Sequence, residues 1–234
     1  EYDPATNTWA GKAAMTAPRE GLGVGVVNGK VYAVGGYFGG EVPTVQEYDP
    51  GGDSWANKNP MPTARAGLSV AVLNGKLYAI GGSSGGGVTT HNTVEEFDPG
   101  TNTWTPRASL ITARFRFAAA TARGGVYVAG GYGGGFLSSV ERYDQALDAW
   151  ISVGNLLSAR QDLAMTTVNE RLYAVAGWNG GDLALNHEGI IAPALSPGAT
   201  LSFTVTGQVS SVCAPTPVSN TGWVSAASSC ASQS

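Results

Sequence analysis

One phrase recurs four times along this chain: GLGVGVVNGKVYAVGG at 21–36, LSVAVLNGKLYAIGG at 68–82, FAAATARGGVYVAGG at 117–131 and LAMTTVNERLYAVAG at 163–177. Three further markers keep the same register. Trp9, Trp55, Trp104 and Trp150 stand 46, 49 and 46 residues apart, and Arg19, Arg65, Arg114 and Arg160 repeat those intervals. EYDPATNTW at 1–9 is echoed by EYDPGGDSW, EFDPGTNTW and the weaker RYDQALDAW. A period of this length means an array of supersecondary units, because one unit cannot bury its apolar face alone.

Each unit reads as four short strands. Leu68, Val70 and Val72 alternate before Asn74-Gly75; Leu77 and Ala79 alternate after it, with Tyr78 and Ile80 on the other face. Period two with β-branched and aromatic residues marks strands. Asn-Gly suits a type I′ turn, whose two central residues both need positive φ. Gly81-Gly82 ends the second strand, Tyr/Phe-Asp ends a third, and the Trp sits on a fourth. Asp49 with Asp53, Asp98 with Asn102, and Asp144 with Asp148 recur in the turn between those last strands, which predicts turn chemistry and not calcium ligands. Gly is 34 of 234 residues, about twice the usual share, and 13% of residues are charged. With 43% hydrophobic residues and a regular strand pattern, this is a folded, glycine-cornered chain.

An Arg before the first strand, a Gly-Gly after the second, then Tyr-Asp-Pro and Trp resembles the kelch repeat over residues 1–188. The resemblance implies an all-β fold: a kelch-type β-propeller of four repeats, one four-stranded blade each, followed by a short β-rich tail. The propeller repeats occupy 1–189 and the tail 190–234. Residues 1–9 read as the outer half of a blade. The fourth repeat decays, with NHEGI at 186–190 where VERYD stood and no Trp near position 196, so its outer strands are expected to be missing. Residues 1–9 are predicted to pair with the fourth repeat of their own chain or of a neighbour. Either a partial propeller or a four-bladed closure results; a larger, truncated propeller is the favoured origin, because the sequence starts with Glu in mid-repeat. A homo-oligomer or filament through incomplete blades is the corresponding expectation for self-assembly.

The tail contains LSFTVTGQVS at 201–210, an alternating strand. SPGATLSFTVTG resembles the opening strands of immunoglobulin-like modules in bacterial surface proteins. Cys213 and Cys230, the only cysteines, are expected to form a disulfide in an oxidising compartment. Together these point to an extracellular or cell-surface location.

Net charge of −4 offers no basic stripe for nucleic acid. No apolar run approaches the ~18 residues of a spanning helix. His91 and His187 have no partner at metal-ligand spacing, so no metal or cofactor is expected. Some kelch propellers are copper oxidases that use a cross-linked Cys, and the repeats here contain none.

The meander places loops such as YFGGEVPT, SSGGGVTTHNT, YGGGFLSS and WNGGDLAL on one face, with the blade-to-blade links; binding sites favour such variable loops. Arg19, Arg65, Arg114 and Arg160 are expected to ring the channel mouth on that face, with Arg116 added in the third blade. In some kelch proteins an Arg at this position contacts acidic peptide; bonding to blade backbone is the competing and weightier role. Tyr37, Phe38, Tyr132, Phe136 and Trp178 add aromatic surface suited to sugars or protein. The favoured reading is a non-catalytic binding or scaffold module with a protein or glycan ligand. A carbohydrate-active enzyme of the kelch type, a sugar oxidase or epimerase, is the alternative.

Overall fold

The repeats fold as successive antiparallel sheets in a computed structural model, which describes residues 1–181 and the backbone of 186–189, all within the unit Glu1–Ile191. The chain opens with a two-stranded hairpin, β1 (Tyr2–Asp3) and β2 (Thr8–Trp9). Blade 1 is β3 (Gly23–Val27), β4 (Lys30–Val34), β5 (Val45–Asp49) and β6 (Ser54–Lys58), hydrogen-bonded in chain order. Blade 2 starts with β7 (Ser69–Leu73) and β8 (Lys76–Ile80). A small hairpin follows, β9 (Ser83–Ser84) with β10 (Thr89–Thr90), before β11 (Val94–Asp98) and β12 (Thr103–Arg107) complete the blade. This hairpin accounts for the longer middle interval of the repeat. Blade 3 is β13 (Ala118–Ala122), β14 (Gly125–Ala129), β15 (Ser139–Asp144) and β16 (Ala149–Asn155). Blade 4 has β17 (Ala164–Val168), β18 (Arg171–Val175) and β19 (Asn186–Gly189). Among the described residues no helix is long and apolar enough to cross a membrane.

Local chemistry explains the turns. Asn28-Gly29 and Asn74-Gly75 have φ of 52° and 73°, and 50° and 73°, as a type I′ turn requires. In the third-to-fourth turns, Oδ1 of Asp49 and of Asp98 accepts the N–H of Gly51 and of Gly100, each at 2.9 Å. Asp53 Oδ1 accepts the Tyr48 hydroxyl at 2.6 Å and the Ala13 N–H at 2.9 Å; Asp148 does the same for Tyr143 and Ala108. Asp53 and Asp148 thus fasten blades 1 and 3 to the link before each, as Asn102 Oδ1 does for blade 2 by accepting the Asn59 N–H.

Packing between blades makes the core. Val27, Val34, Leu68, Val70, Leu77 and Phe97 join blades 1 and 2, and Ala71, Ile80, Phe117, Val126 and Tyr143 join blades 2 and 3. The indole N–H groups of Trp55, Trp104 and Trp150 donate to the carbonyls of Ala13, Asn59 and Ala108 at 2.8, 3.0 and 2.9 Å. The Gly-Gly corner is a second joint: Gly36, Gly82 and Gly131 donate their N–H to the carbonyls of Arg65, Arg114 and Arg160 in the following blade. The first glycine of each pair has positive φ, and a Cβ there would lie 2.8, 2.5 and 2.6 Å from those carbonyl oxygens.

Two expectations about the ends are corrected. β19 pairs with β18, placing Asn186 opposite Val175 and His187 opposite Ala174, so the fourth repeat does have its third strand, at NHEG. The backbone there is extended despite the lost Tyr-Asp motif. Among the described residues the hairpin β1–β2 pairs with itself alone, and β19 holds the place beside β18 that its pairing with the fourth repeat would need. Four-bladed closure through those strands is therefore absent among the described residues. Trp9 is 80% exposed, against 8% for Trp150. The tail at 190–234, with Cys213 and Cys230, lies outside the described residues.

Candidate functional site

The repeated arginines turn inward. Arg65, Arg114 and Arg160 have 0% exposure. Arg65 donates to the carbonyls of Gly81, Thr93 and Ala79 and to Glu95 Oε2 at 2.8 Å. Arg114 donates to the carbonyls of Gly130 and Ser139 at 2.8 and 3.0 Å and to Glu141 Oε1 at 2.5 Å. Arg160 donates to the Ser158 and Ala176 carbonyls at 3.2 and 3.0 Å. Arg19 is half-buried and bonds Gln46 Oε1 and the Ala33 carbonyl. Burial pulls the pKa of Arg65 and Arg114 down, and attraction to Glu95 and Glu141 opposes it. Their donors are spent inside the blade, on backbone carbonyls and a buried carboxylate; the Thr93 and Ser139 carbonyls also accept the N–H groups of Gly81 and Gly130. Arg65, Arg114 and Arg160 are corrected from ligand contacts to struts within their own blades, and Arg19 has the same kind of partners.

What reaches the surface is the residue two positions later. Gly21, Gly67, Arg116 and Asp162 all have positive φ, 60°, 60°, 52° and 53°. They form a chain across the blades: Gly67, Arg116 and Asp162 each donate their N–H to the carbonyl of the one before, at 2.8 Å. The residue between, Glu20, Ala66, Phe115 or Gln161, makes an antiparallel bridge to Tyr37, Ser83, Tyr132 or Trp178. Those bridges hold the aromatic loop residues at the rim.

Above this chain lies an open cleft of about 970 Å³. Glu20, Tyr37 and Glu41 line it from blade 1, Gly67 and Gly86 from blade 2, Phe115 and Arg116 from blade 3, Asp162 and Leu163 from blade 4. Its two sides differ. Phe115, which lines the cleft, starts a row of rings that leads away from it: Phe115, Tyr132, Phe136 and Trp178 run edge to face with centroids 5.7, 5.7 and 5.2 Å apart. The Arg116 guanidinium sits 5.8 Å from the Phe115 ring centre and 3.7 Å from Asp162. On the other side Glu41 Oε1 accepts the Gly86 N–H at 2.9 Å, tying the blade 2 hairpin to blade 1 and lowering the Glu41 pKa. Of the aromatic residues singled out from the sequence, Tyr132, Phe136 and Trp178 come together, Tyr37 lies across the cleft, and Phe38 joins no ring pair among the described residues. Phe115, Glu41 and Asp162 were missed. The signal for Asp162 was a break in the repeat, R-E-G and R-A-G becoming R-F-R and R-Q-D.

His91 Nε2 lies 2.8 Å from Ser84 Oγ, and burial lowers its pKa. Among the described residues no three His, Cys, Asp or Glu side chains converge as a metal site.

The profile of the KLHDC2/KLHL20/DRC7 kelch-repeats domain matches residues 1–177. The chain belongs to the kelch-repeat family. Its kelch repeats are 51% identical over 35 residues to Kelch-like ECH-associated protein 1A of Danio rerio and 50% identical over 38 residues to protein 1B. Those segments are 15% and 16% of this chain and only 6% of either relative. The solved structure of YjhT superposes with a TM-score of 0.66 at 19% identity, covering 73% of this chain and 63% of its own, which establishes the fold alone. Kelch membership points to a protein-binding or scaffold role; it does not name a reaction.

Proposed function

We propose that this kelch module is a non-catalytic binding or scaffold element of an extracellular or cell-surface protein, and that it takes a protein or glycan ligand in the long-loop cleft. One observation carries the reading. The mouth is glycine-lined in blades 1 and 2, but blades 3 and 4 place Arg116 and Asp162 there beside the Phe115–Tyr132–Phe136–Trp178 ladder. Residues that maintain blades recur in every blade; these do not. Aromatic edges with a charged pair give the mixed apolar and polar contacts that orient a ligand. The extracellular setting is supported by the surface-type tail and its two cysteines.

Binding of glycan arrays and of displayed peptide libraries to the native chain, Arg116→Ala, Trp178→Ala and Thr101→Ala tests the site. A ligand lost at least about tenfold by the first two variants, with melting unchanged, supports it; tenfold is about 1.4 kcal/mol. Binding that survives both, or that fails in the tight-turn variant Thr101→Ala, overturns it. The second reading, a carbohydrate-active enzyme, has in its favour that Arg116 and Asp162 are each confined to one blade. Turnover of any sugar bound on the array would establish it.

A further inference from the structure

We infer that the blade 1 wall of the cleft, Glu20 with Tyr37 and Glu41, is a guanidinium site that takes an arginine side chain of a peptide partner. The inference rests on the proposed reading of the cleft as the ligand site, and within that reading it selects protein over glycan. Tyr37 bridges Glu20 on one side and Glu41 on the other, so the three stand abreast on adjacent extended segments. Residues directly opposite one another in antiparallel pairs share a face, and all three line the cleft. With segments about 4.8 Å apart, a carboxylate arm flanks the phenol ring on each side. Glu41 Oε1 accepts the Gly86 N–H, and among the described residues no ion pair engages Glu20 or Glu41.

The repeat supplies an internal comparison. In blade 3 the equivalent trio is Phe115, Tyr132 and Phe136, three rings where blade 1 has carboxylate, ring and carboxylate. Blade 3 also carries its own cation. The Arg116 guanidinium lies 5.8 Å from the Phe115 ring centre and 3.7 Å from the Asp162 carboxylate. A guanidinium held between a ring and a carboxylate is thus already built into one side of the cleft. At the position of Arg116, blade 1 has Gly21. It offers the ring and two carboxylates and leaves the cation to the ligand.

Charge points the same way. Of the described residues lining the cleft, Glu20, Glu41 and Asp162 are acidic and Arg116 alone is basic, beside Asp162. The two blade 1 carboxylates are left uncompensated. His91, whose field reaches Glu41, is pushed toward its neutral form by burial. The net charge of −4 steers a cationic segment toward the chain and an acidic one away. Guanidinium fits better than ammonium, because its planar fork pairs with carboxylates and stacks on an aromatic face, whereas ammonium is a compact, strongly hydrated point charge.

Peptides selected from a displayed library on the native chain, with synthetic versions of the tightest one, test the assignment. That peptide should carry an arginine whose replacement by citrulline, which keeps the shape and loses the charge, weakens binding at least about tenfold. Glu20→Gln and Glu41→Gln should each weaken the arginine peptide about tenfold and leave the citrulline peptide unaffected. Melting should not change, since a glutamine carbonyl still accepts the Gly86 N–H. Selected peptides without arginine, a lysine replacement that binds equally well, a glycan as the ligand, or binding indifferent to both glutamine variants overturns the inference. A ligand of that kind still lost in Arg116→Ala and Trp178→Ala leaves the cleft reading standing without it; one that survives all four substitutions sinks both.

Discussion

Replacing Arg114 by Ala separates strut from ligand contact. The side chain is fully buried, and its loss strips donors from the carbonyls of Gly130 and Ser139 and leaves the Glu141 carboxylate without its cation. Removing one partner of a buried pair costs about 3–5 kcal/mol. Glu141 keeps the N–H groups of Ile111 and Thr112 at 2.8 and 3.0 Å, which sets the expectation at the lower end. At about 2–4 °C per kcal/mol for a domain of this size, about 3 kcal/mol lowers the calorimetric midpoint by about 6–12 °C. Arg116, two residues on, is half-exposed and its ion pair with Asp162 is long at 3.7 Å, so Arg116→Ala should change stability by under about 1 kcal/mol. Arg114→Met combined with Glu141→Leu should recover part of the loss, because no charge is then left buried alone. Equal midpoints for Arg114→Ala and Arg116→Ala would refute the reasoning.

Three further outcomes are expected. Gly81→Ala places a Cβ 2.5 Å from the Arg114 carbonyl at φ 56° and should destabilise by more than about 2 kcal/mol, whereas Ala176→Gly should gain about 1 kcal/mol by relieving a left-handed alanine, both read by urea titration. Burial alone would raise the Glu47 carboxyl, but hydrogen bonds from Lys58, Tyr32 and Lys30 outweigh it and hold its pKa at about 2. That contribution is present above the ordinary value of 4.5 and is lost as pH falls toward 2, so Glu47→Gln should flatten acid unfolding in this window. Trp150→Phe should cost about 1 kcal/mol for its bond to Ala108, and Trp9→Phe close to nothing, in the same titration.

The blade itself was legible in the sequence. Alternation, Asn-Gly turns and Asx turns are set by residues within a few positions of one another, so β3–β8 and their turns follow from local chemistry. The register of NHEG in blade 4 was legible too, by counting from Val140, although its ability to form β19 was not. The direction of the arginines was decided elsewhere. An Arg at the start of a first strand faces solvent or interior according to carbonyls and a carboxylate brought in by the second and third strands, and only the folded blade assembles them. The same holds for the cleft: R-F-R and R-Q-D are visible breaks in a repeat, but Arg116 and Asp162 become neighbours through an N–H···O=C chain between blades. The fate of the ends was likewise tertiary. Whether β1–β2 could pair with the fourth repeat depended on what lay beside β18, a contact between residues far apart in the chain that no local pattern encodes.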